Sequence, residues 1–248
     1  MDEATDFELE ELTWEDAGAA IEAADFVALP CGSIEQHSYH LPLAVDSIRA
    51  EELTRDLCRR APDHDLSVLM LPTLEYGYSE HHMNYPGTIT LTADTYQRVV
   101  LEIADSVRRH GADRLLIVNC HGGNRSPLRL AADRIQREHD LPVYHVFWAD
   151  FAREAIHEQW GDRGGHAGAH ETSAIELFRP DLVKQDRKEE QVRKASYETR
   201  QFRYFDDLTE QGGLGDPRNS DAEFMETLVE ETNETILDGL RADLASEE

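Results

Sequence analysis

Four short segments hold most of the side chains in this sequence that could bind a metal or move a proton. The first is Cys31-Gly32-Ser33-Ile34-Glu35-Gln36-His37-Ser38-Tyr39-His40, with Asp46 shortly after it. Glu35 and His37 are two apart, so in extended chain they point to one face. The second runs from Tyr78 through Glu80-His81-His82 to Pro86-Gly87-Thr88. The third is Cys120-His121-Gly122-Gly123-Asn124, whose glycines let the backbone turn sharply and approach a ligand closely. The fourth is Gly164-Gly165-His166-Ala167-Gly168-Ala169-His170-Glu171-Thr172-Ser173. A histidine or glutamate after a strand is commonly a surface residue, so no one segment is diagnostic. Their conjunction is, because most of the 12 histidines fall in or beside them. Imidazole and carboxylate donors without a thiolate pattern suit Zn²⁺, Mn²⁺ or Fe²⁺. One carboxylate can bridge two such ions about 3.5–4 Å apart, and the pair activates water for hydrolysis.

The apolar pattern supplies a scaffold for these segments. Residues 25–30 (DFVALP), 67–72 (SVLMLP), 114–119 (RLLIVN) and 143–148 (VYHVFW) read as strands. The 114–119 run is continuously apolar, as expected where both faces are covered. Residues 88–91 form a further short β-branched run. Helical patterns cover 47–60, with Ile48, Leu53 and Leu57 along one side, then 125–140 and 221–244. Another spans 92–111, capped by Thr92 or Asp94 and closed by Gly111. A further helix starts near His170 and ends before Pro180, and residues 185–215 read as a polar excursion over the surface. Strand–helix alternation predicts an α/β fold, a three-layer αβα sandwich with a mostly parallel central sheet. Ligands bind such sheets beyond the carboxyl ends of the strands, and the polar segments fall there. No repeat or linker divides the sequence, so 1–248 reads as one domain.

Composition narrows the partners. There are 51 Asp+Glu against 24 Lys+Arg, a formal net charge of −27. Nucleic-acid binding is excluded as an expectation, since it needs clustered Lys/Arg and counterion release. An anionic membrane surface is disfavoured for the same reason, and no apolar run approaches the roughly 20 residues of a spanning helix. Met1-Asp2-Glu3-Ala4-Thr5-Asp6 has neither a basic nor an apolar region of a secretory signal, which predicts a cytoplasmic location. Cys31, Cys58 and Cys120 are an odd number without a CxxC pair and fit a reduced compartment. Cys58 and Cys120 read as packing residues. Lys184, Lys188 and Lys194 are the only lysines. A lysine-poor, carboxylate-rich surface suits high salt, where screening removes self-repulsion. The sequence therefore reads as that of a halophile.

The quoted residues also carry a resemblance. Pro30-Cys31-Gly32-Ser33-Ile34-Glu35-Gln36-His37, His40-Leu41-Pro42-Leu43 and Asp46 come first. Glu80-His81, Pro86-Gly87-Thr88-Ile89 and Val118-Asn119-Cys120-His121-Gly122-Gly123-Asn124 follow. His166-Ala167-Gly168 and Glu171-Thr172-Ser173 come last. In this order, over roughly residues 25–180, they resemble the creatininase (creatinine amidohydrolase) family. The resemblance implies an αβα domain whose two divalent ions, zinc first and manganese or iron as alternatives, hydrolyse a C–N bond of a cyclic amide or formamide. Glu35 and His121 would bind one ion and His37 the other, with Asp46 bridging. The family's further carboxylate falls at Gly123, so Glu171 is the substitute candidate. His166 matches the catalytic histidine that handles the leaving nitrogen's proton. His81, Gly122 and Gly123 would line the substrate. A small-molecule substrate and a homo-oligomer, typically a hexamer, are implied as well.

Gly165 stands where creatininase carries a glutamate, and Ser38-Tyr39 replaces its Gly-Pro. These departures argue against creatinine as the natural substrate. Family branches that deformylate a formylaminopyrimidine ribonucleotide or trim a peptide are the alternatives. Arg125 and Arg163 are candidate phosphate contacts. A non-catalytic metal-binding protein is the reading from another class. His170 reads as an exposed helix start, and His64, His110, His145 and His157 as structural.

Overall fold

The computed structural model describes residues 7–194 and 202–247. The N-terminal run 1–6 and residues 195–201 of the polar stretch lie outside the described residues, as does the Arg163 side chain. The chain opens with helix α1 (Trp14–Ala23), which enters strand β1 (Phe26–Cys31). Helix α2 (Val45–Arg60) leads to β2 (Val68–Met70), and α3 (Ala93–Arg109) to β3 (Leu115–Asn119). Helix α4 (Arg125–His139) returns the chain to β4 (Val143–Phe147). Helices α5 (Trp148–Phe151), α6 (Arg153–Trp160), α7 (Ala169–Phe178) and α8 (Ala222–Glu247) follow.

The four strands are parallel in the order β2-β1-β3-β4. Alternate strand residues feed opposite faces. Val27, Leu29, Leu115 and Ile117 pack under Ile21, Tyr96, Val100, Leu128 and Ile135 of α1, α3 and α4. Phe26, Ala28, Leu116 and Val118 pack under Leu53, Leu57, Trp148, Met225 and Leu228, from α2, α5 and α8. The fold is thus the expected three-layer sandwich. Thr92 is the cap of α3, its hydroxyl accepting from Thr95 N at 3.3 Å. Among the described residues no helix is long and apolar enough to cross a membrane.

Two expectations change. Residues 88–91 join no sheet and make only an isolated antiparallel bridge, Ile34 to Ile89. Helices α1, α5 and α6 were not anticipated: α1 buries only Ile21, and α5 is a single turn, so neither shows a full apolar stripe. The strand order matters for function. From β1 the chain moves outward to β2, then crosses back to β3, so β1 and β3 are neighbours whose onward connections diverge. A crevice opens at such a switch point, beyond the carboxyl ends of the two strands.

Candidate metal centre

The segments leaving β1 and β3 fill that crevice. Gly32 lets the β1 exit lie against the first turn of α2, since a Cβ there would sit 2.4 Å from the Ser47 Cα. That contact brings Asp46 beside Glu35 and His37. After β3, Asn119 clamps the turn: its amide donates to His121 O at 2.9 Å and its carbonyl accepts from His121 N at 3.1 Å. Asn124 ties this turn to the other two, accepting from Tyr78 N at 2.9 Å and donating to Gly32 O at 2.9 Å. Helix α7 contributes Glu171 from its first turn.

Glu35, His37, Asp46, His121 and Glu171 converge, all buried. His37 Nδ1 donates to Glu35 O at 3.1 Å, so Nε2 is the nitrogen turned toward the carboxylates. That Nε2 faces Asp46 Oδ1 and Glu171 Oε2, each at 3.6 Å. His121 Nδ1 lies 2.9 Å from Asp46 Oδ2, and His121 Nε2 lies 3.3 Å from Glu35 Oε2. His37 Nε2, Glu35 Oε2 and Asp46 Oδ2 are buried without a hydrogen bond. Orphaned donor atoms facing one another at such distances fit the first shell of a cation better than a hydrogen-bonded core. Four overlapping trios bring their donor atoms within 4.8 Å: Glu35/His37/Asp46, Glu35/His81/His121, Glu35/His82/His166 and His37/His166/Glu171. Three carboxylates among imidazoles fit divalent ions of the zinc or manganese kind.

The electrostatics agree. Burial raises the Glu35 carboxyl, and His121 only partly offsets it, leaving it pushed up to about 7. Burial would lower His37, yet Asp46 carries it up to about 9. His121 also rises to about 9, Glu35 and Asp46 outweighing its burial. Despite burial, His37 and His121 hold Asp46 well below the usual carboxylate range. Glu171 falls to about 2 because His37 and Arg49 outweigh its burial. Burial, with His37 nearby, pulls His166 down to about 3, so its imidazole is neutral and one ring nitrogen is bare. Without an ion the raised His37 and His121 imidazoles hold protons against the carboxylates, and a divalent ion bound there would displace them.

Glu171 is doubly held. Arg49 Nη1 donates to its Oε1 at 2.8 Å, and Ala167 N donates to its Oε2 at 2.7 Å. Position 123, the family's other carboxylate site, is closed: a Cβ there would lie 2.2 Å from Tyr78 O and 2.4 Å from His121 Nε2. Gly122 and His81 line the adjoining cleft, a cavity of about 1110 Å³ that also reaches Arg153 and Phe205.

Several expectations are corrected. His170 is buried, not an exposed helix start, and its Nε2 lies 2.9 Å from Arg49 Nη2. Arg125 does not reach the cleft; it pairs with Asp150 at 2.6 Å. The 185–215 stretch is more than a surface excursion. Gln191 and Gly215 pair through two backbone bonds, and Leu214 N donates to His166 O at 2.7 Å. Phe205 stacks on His82 with centroids 4.4 Å apart. Arg49 and Phe205 had no place in the sequence reading, and Gln36 and His82 stood in the quoted segments without a role. Of these only His82, next to His81, carried a signal in its residue type.

A family model described as creatinine amidohydrolase matches residues 10–240. A creatinine amidohydrolase of Pseudomonas putida is 32% identical over 196 residues, covering 71% of this chain and 74% of the relative. A mycofactocin precursor peptide peptidase of Mycobacterium ulcerans is 34% identical over 167 residues, covering 65% of this chain and 61% of the relative. Among solved structures, a glutamate-to-glutamine variant of creatininase, Zn–Zn type, aligns with a TM-score of 0.85 at 26% identity, over 96% of this chain and 98% of the other. A manganese creatininase aligns with a TM-score of 0.82 at 26% identity and the same coverage.

Proposed function

This chain belongs to the creatininase family, a family of hydrolases acting on C–N bonds, and we propose that it hydrolyses a cyclic amide or formamide with two divalent ions. Glu35 and His121 would hold one ion, His37 and Glu171 the other, and Asp46 both. Bound there, divalent ions supply Lewis acidity to water and to the amide carbonyl. The observation that carries this reading is the convergence of five buried ligand groups, three of them with orphaned atoms, at the β1/β3 switch point. His166 is the proton carrier. It is neutral, with Nδ1 3.8 Å from Glu171 Oε2, so it can take a proton from the attacking water and then give it to the departing nitrogen. Gly122, Gly123 and His81 line the substrate.

The cleft opens to solvent beside these donors, which favours catalysis over a closed structural site. Its volume exceeds what creatinine fills. Gly165 cannot regain the family's glutamate either, since a Cβ would lie 2.4 Å from Leu214 O. Both points favour a larger amide, and a formylaminopyrimidine ribonucleotide is the second reading. The peptidase activity named for the mycobacterial relative is a third amide class to test.

The test is turnover after reconstitution with Zn²⁺, Mn²⁺ or Fe²⁺, against creatinine, a formylaminopyrimidine ribonucleotide, small cyclic amides and a short peptide. Metal-dependent hydrolysis of the C–N bond of one of them is expected. Stoichiometric metal binding with no turnover of any would favour the non-catalytic reading. We further propose that the chain works in a salt-rich cytoplasm as a homo-oligomer, a hexamer by family likeness. Sedimentation at high salt showing only monomer would contradict the assembly.

A further inference from the structure

Gln36 lies between the candidate ligands Glu35 and His37. Its side chain is buried and has three neighbours for one amide nitrogen. Gln36 Nε2 lies 2.8 Å from Gly212 O, 2.7 Å from His82 Nδ1 and 3.1 Å from His166 Nε2. Its Oε1 accepts from Ser38 N at 3.0 Å, which fixes the end of the carboxamide that carries oxygen. A carboxamide has two protons to give. The Gly212 carbonyl can only accept, so it takes one. His82 Nδ1 takes the other, because a proton on that nitrogen would face the amide's own N–H. His166 Nε2 is left with the Gln36 backbone carbonyl at 3.0 Å, to which it can only donate.

We propose that Gln36 is a positioning residue that sets the tautomers of His166 and His82. His166 carries its proton on Nε2 and turns a bare Nδ1 toward Glu35 Oε1, at 4.0 Å, and Glu171 Oε2, at 3.8 Å. His82 also carries its proton on Nε2 and directs it at Glu35 Oε1, 3.3 Å away. One residue thereby readies the proton carrier and steadies a metal-binding carboxylate. A partner that fixes an imidazole's tautomer has large leverage on rate, because the wrong tautomer presents a proton where a lone pair is needed. The device is anchored from outside the motif. Gly212 has φ +87°, and a Cβ there would lie 1.9 Å from Gln36 Oε1, so the 211–215 strap closes on Gln36 only with glycine at that position.

The inference rests on the role proposed for His166, and its test separates the two. In ¹⁵N-labelled, zinc-loaded protein, imidazole ¹⁵N–¹H correlation spectra should show His166 and His82 as Nε2–H tautomers, with His166→Ala and His82→Ala assigning the signals. A proton on Nδ1 of either ring overturns the inference. Gln36→Glu keeps an acceptor for Ser38 N but offers no amide protons. It should keep both zinc ions per chain, leave the His166 proton donated to the Gln36 backbone carbonyl, lose the His82 tautomer and, through Glu35, lower kcat about 10–100-fold with KM nearly unchanged, on the best substrate of the panel above. Unchanged kcat, or loss of zinc, overturns it. If Gln36→Glu does not fold, the wild-type spectrum alone decides. Wild-type protein with these tautomers but no turnover of the panel would contradict the hydrolase reading and support the role of Gln36.

Discussion

At Gly123 the backbone passes so close to Tyr78 O and the His121 ring that no side chain fits. The carboxylate that creatininase places two residues after the histidine cannot be restored there. Gly123→Glu should destabilise the fold by about 2 kcal/mol or more, a fall in Tm of roughly 4–8 °C. It should also fail to return a second ion to Glu171→Gln. Differential scanning fluorimetry and elemental analysis check both, and recovery of metal would show that the site is more open than its contacts imply. Metal binding and proton transfer separate at two other residues. Asp46→Ala should lose both metal and activity, because it removes the carboxylate facing both His37 and His121. His166→Ala should keep its metal while kcat falls by roughly 10²–10⁴, the usual worth of one general acid/base. If His166→Ala instead loses an ion, His166 is a ligand. Glu35, His37, Asp46 and His121 were readable because their spacing repeats a family motif. Arg49 was not, because in sequence it is one of four arginines on α2. Only folding reveals that it is buried and donates to Glu171.

Elements divide the labour between aligning the site and closing it. Strands β1 and β3 were legible as apolar runs, and their register, Cys31 against Asn119, sets the two site-bearing exits side by side. Pairing partners are long-range, so the sequence alone left the strand order open. The 185–215 stretch was misread for a related reason: it is polar and lacks periodicity, and its contacts with Gln36 and His166 join residues far apart in the chain. Helix α8 is bound to the sheet side by Asn233, which accepts from Trp148 Nε1 at 3.1 Å and donates to Leu53 O at 3.0 Å. Asn233→Ala strands a buried indole N–H and takes a donor from the Leu53 carbonyl and the Asp56 carboxylate. It should cost about 2–4 kcal/mol, read as a loss of roughly 5–10 °C in Tm, with metal content unchanged. A loss under about 1 kcal/mol would mean water replaces the amide.

For the whole molecule, charge and topology set the terms. A net charge of −27 repels itself at low salt. Tm should therefore rise strongly between 0.1 and 3 M KCl as the carboxylates are screened. A flat or falling midpoint would remove the halophilic reading. The parallel sheet places its crevice where β1 and β3 diverge, and the charged groups that matter most lie there instead of on the surface. The central claim is that this crevice holds two ions sharing Asp46. Its most direct test is a crystal structure of zinc-loaded protein with anomalous data at the zinc edge. The account predicts two peaks about 3.5–4 Å apart, one touched by Glu35, His121 and Asp46, the other by His37, Glu171 and Asp46. A single peak, or two peaks of which Asp46 touches only one, would contradict it.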